Sequence, residues 1–525
     1  METACLRHTE LPGITRLFSD HQYHFDRVAK FYSASPWDFE SYRQTARQIS
    51  YPEERRAALV TALRRQNGES PLLEELARPD TVAVVTGQQI GLFSGPAYTI
   101  YKALTAIRLA ARLKESGVPA VPVFWLATED HDFAEINEAW VFDADLRPVR
   151  LQSSQKVDGH APVGSLKLKE LPFAELESAL SGLPFGPQAI ALARDCYQPG
   201  RSWTEAFREL VKRLLSPEEI LFVDRLDPAL REITAPLMAE VVKAAPTLGA
   251  EILERNAELE RDGYHAQVHF EKSTSLFFLL RNGERITLRR QNGDYLGAGQ
   301  RYSTAELAAD AANLSPNALL RPVVQDCLLP TVAYVGGPAE LAYLAQSSVI
   351  YRHLLGHMPV AVSRSGFTIL DARARKIMTR YGLSLADVLR GESAVREHIS
   401  RAVVPAGIVE RTSGARETAS KALSALKAEL ASFDPTLAAA AAKSESKILY
   451  QFSRIAAKTA REALRRDERA ANDAAYVSNL IFPHDHLQER LYSGLALYAR
   501  FGPELAPELY ERVHPQCPDH QLVSV

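Results

Sequence analysis

VVTGQQIGLFSGPAYTIYKA, residues 84–103, decides how the chain is read. To its left, TVAVV (81–85) is a short apolar run of the kind that forms a buried strand. To its right, the pattern from Ala97 to Ser116 predicts a helix. The next apolar run, VPAVPVFWL, predicts a second strand. Strand, helix and strand in this order argue for a parallel sheet covered by helices, an α/β fold. In such sheets the turn after a strand lies at the carboxyl edge, where ligands bind. Gly87, Gly91 and Gly95 therefore read as places where backbone approaches a ligand or turns with positive φ. Gln88, Gln89 and Ser94 add polar contacts, and Tyr98 and Lys102 share a helix face. The helix start at Ala97 reads as an anion site. The loop is neither a Walker A sequence nor G-x-G-x-x-G.

Two further stretches repeat this logic. The second strand runs into ATEDHDFAEI (127–136), which places Glu129, Asp130, His131 and Asp132 at the same edge. These four are the candidate catalytic residues: carboxylates for an amine or magnesium, and an imidazole to move a proton. LLRPVVQDCLLPTVAYVGGPAELAYLAQ (319–346) has a strand, a Gly-Gly-Pro turn and a helix starting near Ala339. It adds Arg321, Gln325, Asp326, Gly336, Gly337, Glu340 and Tyr343 to the candidate binding residues Gln88, Gln89, Ser94, Gly95, Tyr98 and Lys102. Cys327, inside an apolar run, reads as a core thiol.

Composition sets limits on the rest. The chain has 525 residues, 46% hydrophobic and 24% charged, with a net charge of −3. That balance gives no drive toward nucleic acid or an anionic membrane. No apolar stretch reaches membrane-spanning length, and the N-terminus lacks a signal peptide. Four scattered cysteines without a CxxC pair predict neither zinc nor disulfides, and a cytoplasmic setting. The divisions expected are a helical segment (1–80), a first half of the sheet domain (81–150), insertions with β-hairpins (151–318), a second half (319–400), a helical hairpin (401–478) and a helical end (479–525). Asn282-Gly283 predicts a tight hairpin turn. From 409 to 476, Leu423, Leu426, Leu430 and Phe433, then Ile448, Phe452, Ile455 and Thr459, step by three and four. FDPT (433–436) interrupts them, so two antiparallel helices forming a coiled coil are expected.

TGQQIGLFSGPAYTIYKA, ATEDHDFAEI, the 319–346 stretch and LQER (487–490) together resemble the bacillithiol biosynthesis cysteine-adding enzymes, the cysteine ligase family. The resemblance implies a Rossmann-like core related to class I aminoacyl-tRNA synthetases and nucleotidylyltransferases, with connecting insertions and a coiled coil that dimerises. It implies joining of L-cysteine to glucosaminyl-malate, the last step to bacillithiol. Amide formation in water needs an activated carboxylate, so ATP or ADP is the expected nucleotide, with magnesium alongside and no zinc. SGPAYTIYK and VSRSGF stand where synthetases carry their HIGH and KMSKS motifs, without those histidines and lysines. Lys102, Arg321 and Arg364 are the cations that could substitute. Another nucleotide-dependent ligase or nucleotidyltransferase, acting on a different acid–amine pair, stays open at this point, as does a non-catalytic dimeric scaffold.

Overall fold

The computed structural model describes residues 3–157 and 159–525. Its centre is a five-stranded sheet of β1 (Val82–Gln88), β2 (Ala120–Leu126), β3 (Leu221–Asp224), β4 (Thr331–Gly336) and β5 (Val360–Ser363). The spatial order is β5-β4-β1-β2-β3, and every pairing is parallel. This is a doubly wound sheet, and its winding reverses between β1 and β4.

Alternation along β1 separates two cores. Val82 and Val84 pack on one face with Leu104 of α1 (Tyr98–Glu115). Ala83 and Val85 pack on the other, with Val241 of α2 (Pro228–Arg261) and Leu344 of α3 (Pro338–Leu354). Successive strand residues point to opposite faces, so both faces need apolar cover.

The segment expected to hold only insertions contributes β3 to the central sheet, a correction to the sequence reading. The same segment carries a separate antiparallel sheet of five strands. Its Thr274–Arg281 and Glu284–Gln291 strands turn at Asn282 (φ 55°) and Gly283 (φ 79°), as the Asn-Gly pair predicts. The two ends of the chain are not purely helical. Thr3–Leu6 pairs antiparallel with His520–Ser524, which pairs in parallel with Gly366–Leu370.

The helical hairpin consists of α4 (Ala406–Phe433) and α5 (Pro435–Arg466). Asp434 caps the second helix, accepting from the Thr436 N–H at 2.6 Å. The expected seam divides in two. Leu423, Leu430, Phe452 and Thr459 are half-buried, whereas Leu426, Phe433, Ile448 and Ile455 are exposed. Among the described residues no helix is long and apolar enough to cross a membrane.

Candidate active site

A cavity of about 400 Å³ opens at the carboxyl edge of β1 and β4, the point where the winding reverses. The predicted residues Gln88, Gln89, Tyr98, Lys102, Glu129, Asp130, Arg321, Gly337, Glu340 and Tyr343 line it. Ser94, Gly95, His131, Asp132, Gln325, Asp326 and Gly336 do not. Glu135, Arg285, Asn317, Tyr334, Arg364 and Arg490 complete much of the wall.

The floor is a buried ion pair. Lys102, one turn after Tyr98, points its ammonium at Glu340 Oε2 (2.5 Å), Gly87 O (2.9 Å) and Gln88 Oε1 (2.8 Å). Glu340 stands in the first turn of α3, where its Oε2 also accepts from the Gly337 N–H (2.8 Å) and its Oε1 from the Tyr334 hydroxyl (2.6 Å). Burial works to raise the Glu340 carboxyl, but Lys102 and these donors hold it below the usual range. For Lys102 burial wins, and its pKa falls despite Glu340. Gly336 serves this packing: a Cβ there would meet Glu340 Cβ at 2.9 Å.

One flank is acidic. Gln89 Nε2 donates to Asp130 Oδ2 (2.8 Å) and Glu135 Oε2 (3.3 Å). Arg285 reaches in from the hairpin strand Glu284–Gln291 and donates to Asp130 Oδ1 (3.1 Å). Buried Arg225 donates to Glu129 Oε1 (2.6 Å). Glu129 and Asp130 are therefore compensated, while Glu135 has no cationic partner among the described residues. Burial, then Asp130 and Asp132, raise the Glu135 carboxyl.

The opposite flank follows β5. Arg364 makes a two-pronged pair with Glu489, at 2.8 and 2.6 Å. Burial alone would raise the Glu489 carboxyl, but Arg364 holds it down at about 2. Because the folded value lies below the ordinary 4.5, the pair stabilises above pH 4.5, and that contribution drains away between about pH 4.5 and 2. Glu489→Ala, which strands a buried guanidinium, is expected to cost about 3–5 kcal/mol in urea unfolding. A loss under 1 kcal/mol would show that Arg364 finds another partner.

The residues outside the cavity have other work. Phe93 (φ 48°), Ser94 (φ 78°) and Gly95 (φ 61°) form a left-handed turn. Ser94 is fully buried, and its Oγ donates to Gly95 O at 3.3 Å. The Ala97 N–H donates to Tyr492 O (2.7 Å), so the start of α1 is covered by chain instead of facing an anion. Asp132 accepts from the Glu135 N–H (3.2 Å) and caps the short helix Phe133–Ile136. His131 Nδ1 accepts from Arg285 (3.2 Å). Burial and Arg285 lower its pKa, so the ring is neutral at pH 7. Gln325 and Asp326 lie on the helix Arg321–Leu328 and are buried behind the wall. Gln325 Oε1 accepts from Arg321 (3.0 Å), and Asp326 accepts from Gln325 (2.9 Å) and from the Tyr351 hydroxyl. Cys327 is 5% exposed, a core thiol whose pKa burial pushes up. Among the described residues no group of three or more His, Cys, Asp or Glu is arranged to hold a metal.

A parallel doubly wound sheet, a polar cleft at its switch point and a long helical arm define a Rossmann-like α/β protein with a coiled-coil module. Residues 1–365 match the family model "Bacillithiol biosynthesis BshC, N-terminal Rossmann-like domain", and residues 367–525 match the BshC C-terminal coiled-coil domain. A protein of Solibacter usitatus named "Putative cysteine ligase BshC" is 50% identical over 100% of both chains. Relatives of the same name from Koribacter versatilis (34% identical, 99% of both chains) and Salinibacter ruber (32%, 97% of this chain and 96% of that one) also align. A solved Campylobacter jejuni structure titled as an arginyl-tRNA synthetase of putative assignment covers 88% of this chain and 99% of its own. At 10% identity and a TM-score of 0.23, it carries no argument. The chain belongs to the BshC family of bacillithiol biosynthesis, whose curated members are named as ligases.

Proposed function

We propose that this chain joins the carboxyl group of L-cysteine to the amine of glucosaminyl-malate, the last step in making bacillithiol. The observation that supports this reading most is the division of charge across the cleft. An uncompensated carboxylate, Glu135, stands on the β2 flank, and cationic side chains stand on the β5 flank. An amine attacks only when deprotonated, and a carboxylate with a raised pKa is the stronger base for that proton. In this reading the amine nitrogen forms the new C–N bond as the activating group leaves the acyl carbon, and the amine proton passes to Glu135. Gln89 holds Glu135 in place and is itself anchored on Asp130. The other acidic-loop candidates, His131, Asp132 and Glu129, act as its setting.

The carboxyl group needs activation, and we propose one adenine nucleotide per chain for it. The cleft fits a triphosphate poorly. Lys102, Arg321 and Arg364 are each engaged by acceptors of the chain itself. No step is therefore assigned to the nucleotide, and the base of the hairpin is as open to it as the cleft. Magnesium would arrive on its phosphates, since hard oxygen ligands suit that ion.

The test is direct. The purified chain, given L-cysteine, glucosaminyl-malate and ATP, is expected to yield the amide-linked thiol in mass spectrometry, and none when ATP is omitted. Absence of that product under all conditions would refute the reading. We propose further that two chains associate through the exposed half of the hairpin seam.

A further inference from the structure

Of the five cationic side chains lining the cleft, four are spoken for. Lys102 has three acceptors. Arg285 holds Asp130. Arg321 donates to Gln325, Tyr334 and Tyr343. Arg364 holds Glu489. The Arg490 side chain alone has no hydrogen-bond or ion-pair partner among the described residues. Its side chain is exposed and opens onto the cavity.

The chain holds Arg490 firmly by its neighbours. Gln488 accepts from the Ile369 N–H (2.8 Å) and donates to Ile369 O (3.0 Å) and Leu480 O (2.8 Å), locking the segment to the strand Gly366–Leu370. Glu489 accepts from Arg364 and from the Phe367 N–H (3.2 Å). Both residues on the N-terminal side of Arg490 are thus fixed by buried side-chain hydrogen bonds. Arg490 belongs to the C-terminal module, while nearly all the rest of the wall comes from the Rossmann-like domain. Partial desolvation against the cleft wall and the neighbouring Arg364 both disfavour its charge, a cost that a bound anion would relieve. Residues Gly337 to Ala339, at the amino end of α3, line the same cavity and add a favourable dipole for an anion.

We propose that Arg490 is the carboxylate anchor of the cleft, a specificity-determining residue that the C-terminal module lends to the Rossmann-like domain to hold the malyl carboxylates of the substrate. This assignment rests on the functional reading above. A planar guanidinium matches one carboxylate with two parallel hydrogen bonds. One free guanidinium suits that ligand better than a triphosphate, whose charge calls for several cations.

L-malate and ATP, titrated separately by calorimetry into the wild type, Arg490→Gln and Arg490→Lys, test this. Wild type is expected to bind L-malate. Arg490→Gln should bind it at least tenfold more weakly, Arg490→Lys should fall between, and ATP affinity should be unchanged. Equal malate affinity in all three proteins, or no malate binding by wild type, overturns the proposal. Loss of ATP affinity with malate binding retained also overturns it, by giving Arg490 to phosphate. Circular dichroism confirms that each variant is folded, and Arg490→Lys serves if the glutamine variant is not. Malate binding needs no turnover, so a failed ligase assay beside intact, Arg490-dependent malate binding would strike the reaction and spare the anchor.

Discussion

Glutamine in place of Glu135 is expected to lower kcat/KM for ligation by about two to four orders of magnitude, the usual contribution of a positioned general base. The substitution keeps shape and one acceptor oxygen, so the contact with the Gln89 amide can persist. Glu135 is exposed to the cavity and pairs with no cation among the described residues, so the fold has little to lose, and the unfolding midpoint should move little. The pH profile gives a second reading. The wild-type carboxyl lies above its ordinary 4.5, raised by burial and by Asp130 and Asp132. A base works only when deprotonated, so the wild-type rate should climb with pH through that raised value, and the variant should lack this limb. Wild-type rates in Glu135→Gln would remove it from the chemistry and return the role to Asp130.

The second large effect is expected at the hairpin. Neither helix buries much: α4 has no buried residue, and α5 has only Ala460 and Leu464. Leu426 (48% exposed), Phe433 (82%), Ile448 (39%) and Ile455 (54%) leave an apolar strip that the two helices cannot cover for each other. The face between them already includes a Lys427–Glu445 ion pair at 3.1 Å, which fixes how they meet. A second copy of the same strip, related by a two-fold axis, covers it at least cost in new surface. Light scattering of the unmodified chain should give twice the chain mass. Ile448→Asp with Ile455→Asp should give the single mass with an unchanged helical spectrum. Ligation should continue, because the hairpin contributes no residue to the wall of the cleft. A wild type that is already monomeric at micromolar concentration would leave the strip to some other partner.

How far the sequence spoke depended on how local each feature is. β1, its turn and the acidic loop were readable because an apolar run breaking into polar residues marks a strand end within ten positions. The Asn282-Gly283 turn and the Asp434-Pro435 break were readable for the same reason. Arg285 was not, since a hairpin arginine looks like solvent-facing charge until the fold brings it to Asp130, 155 positions away. Nor was the place of β3 in the central sheet, since an apolar run of four residues reads as a strand but does not say which sheet it joins. Ser94 misled because a serine between glycines after a strand suggests a ligand contact, whereas here the backbone turns left-handed and buries it. LQER carried a resemblance but no chemistry: only the structure shows that its glutamate is consumed by Arg364 and its arginine is left over.

The sheet that ties Thr3–Leu6 to His520–Ser524 has a bearing on how the molecule is made. On the ribosome the first strand emerges hundreds of residues before its partner exists. It must wait, unpaired, while the parallel sheet and the hairpin assemble. Contacts across so long a separation close late and slowly. Gly366–Leu370 meets the same late strand from the other side, so one strand joins two chain segments that lie far from it in sequence. A chain stalled before residue 520 would expose two strand edges at once, the state most open to aggregation.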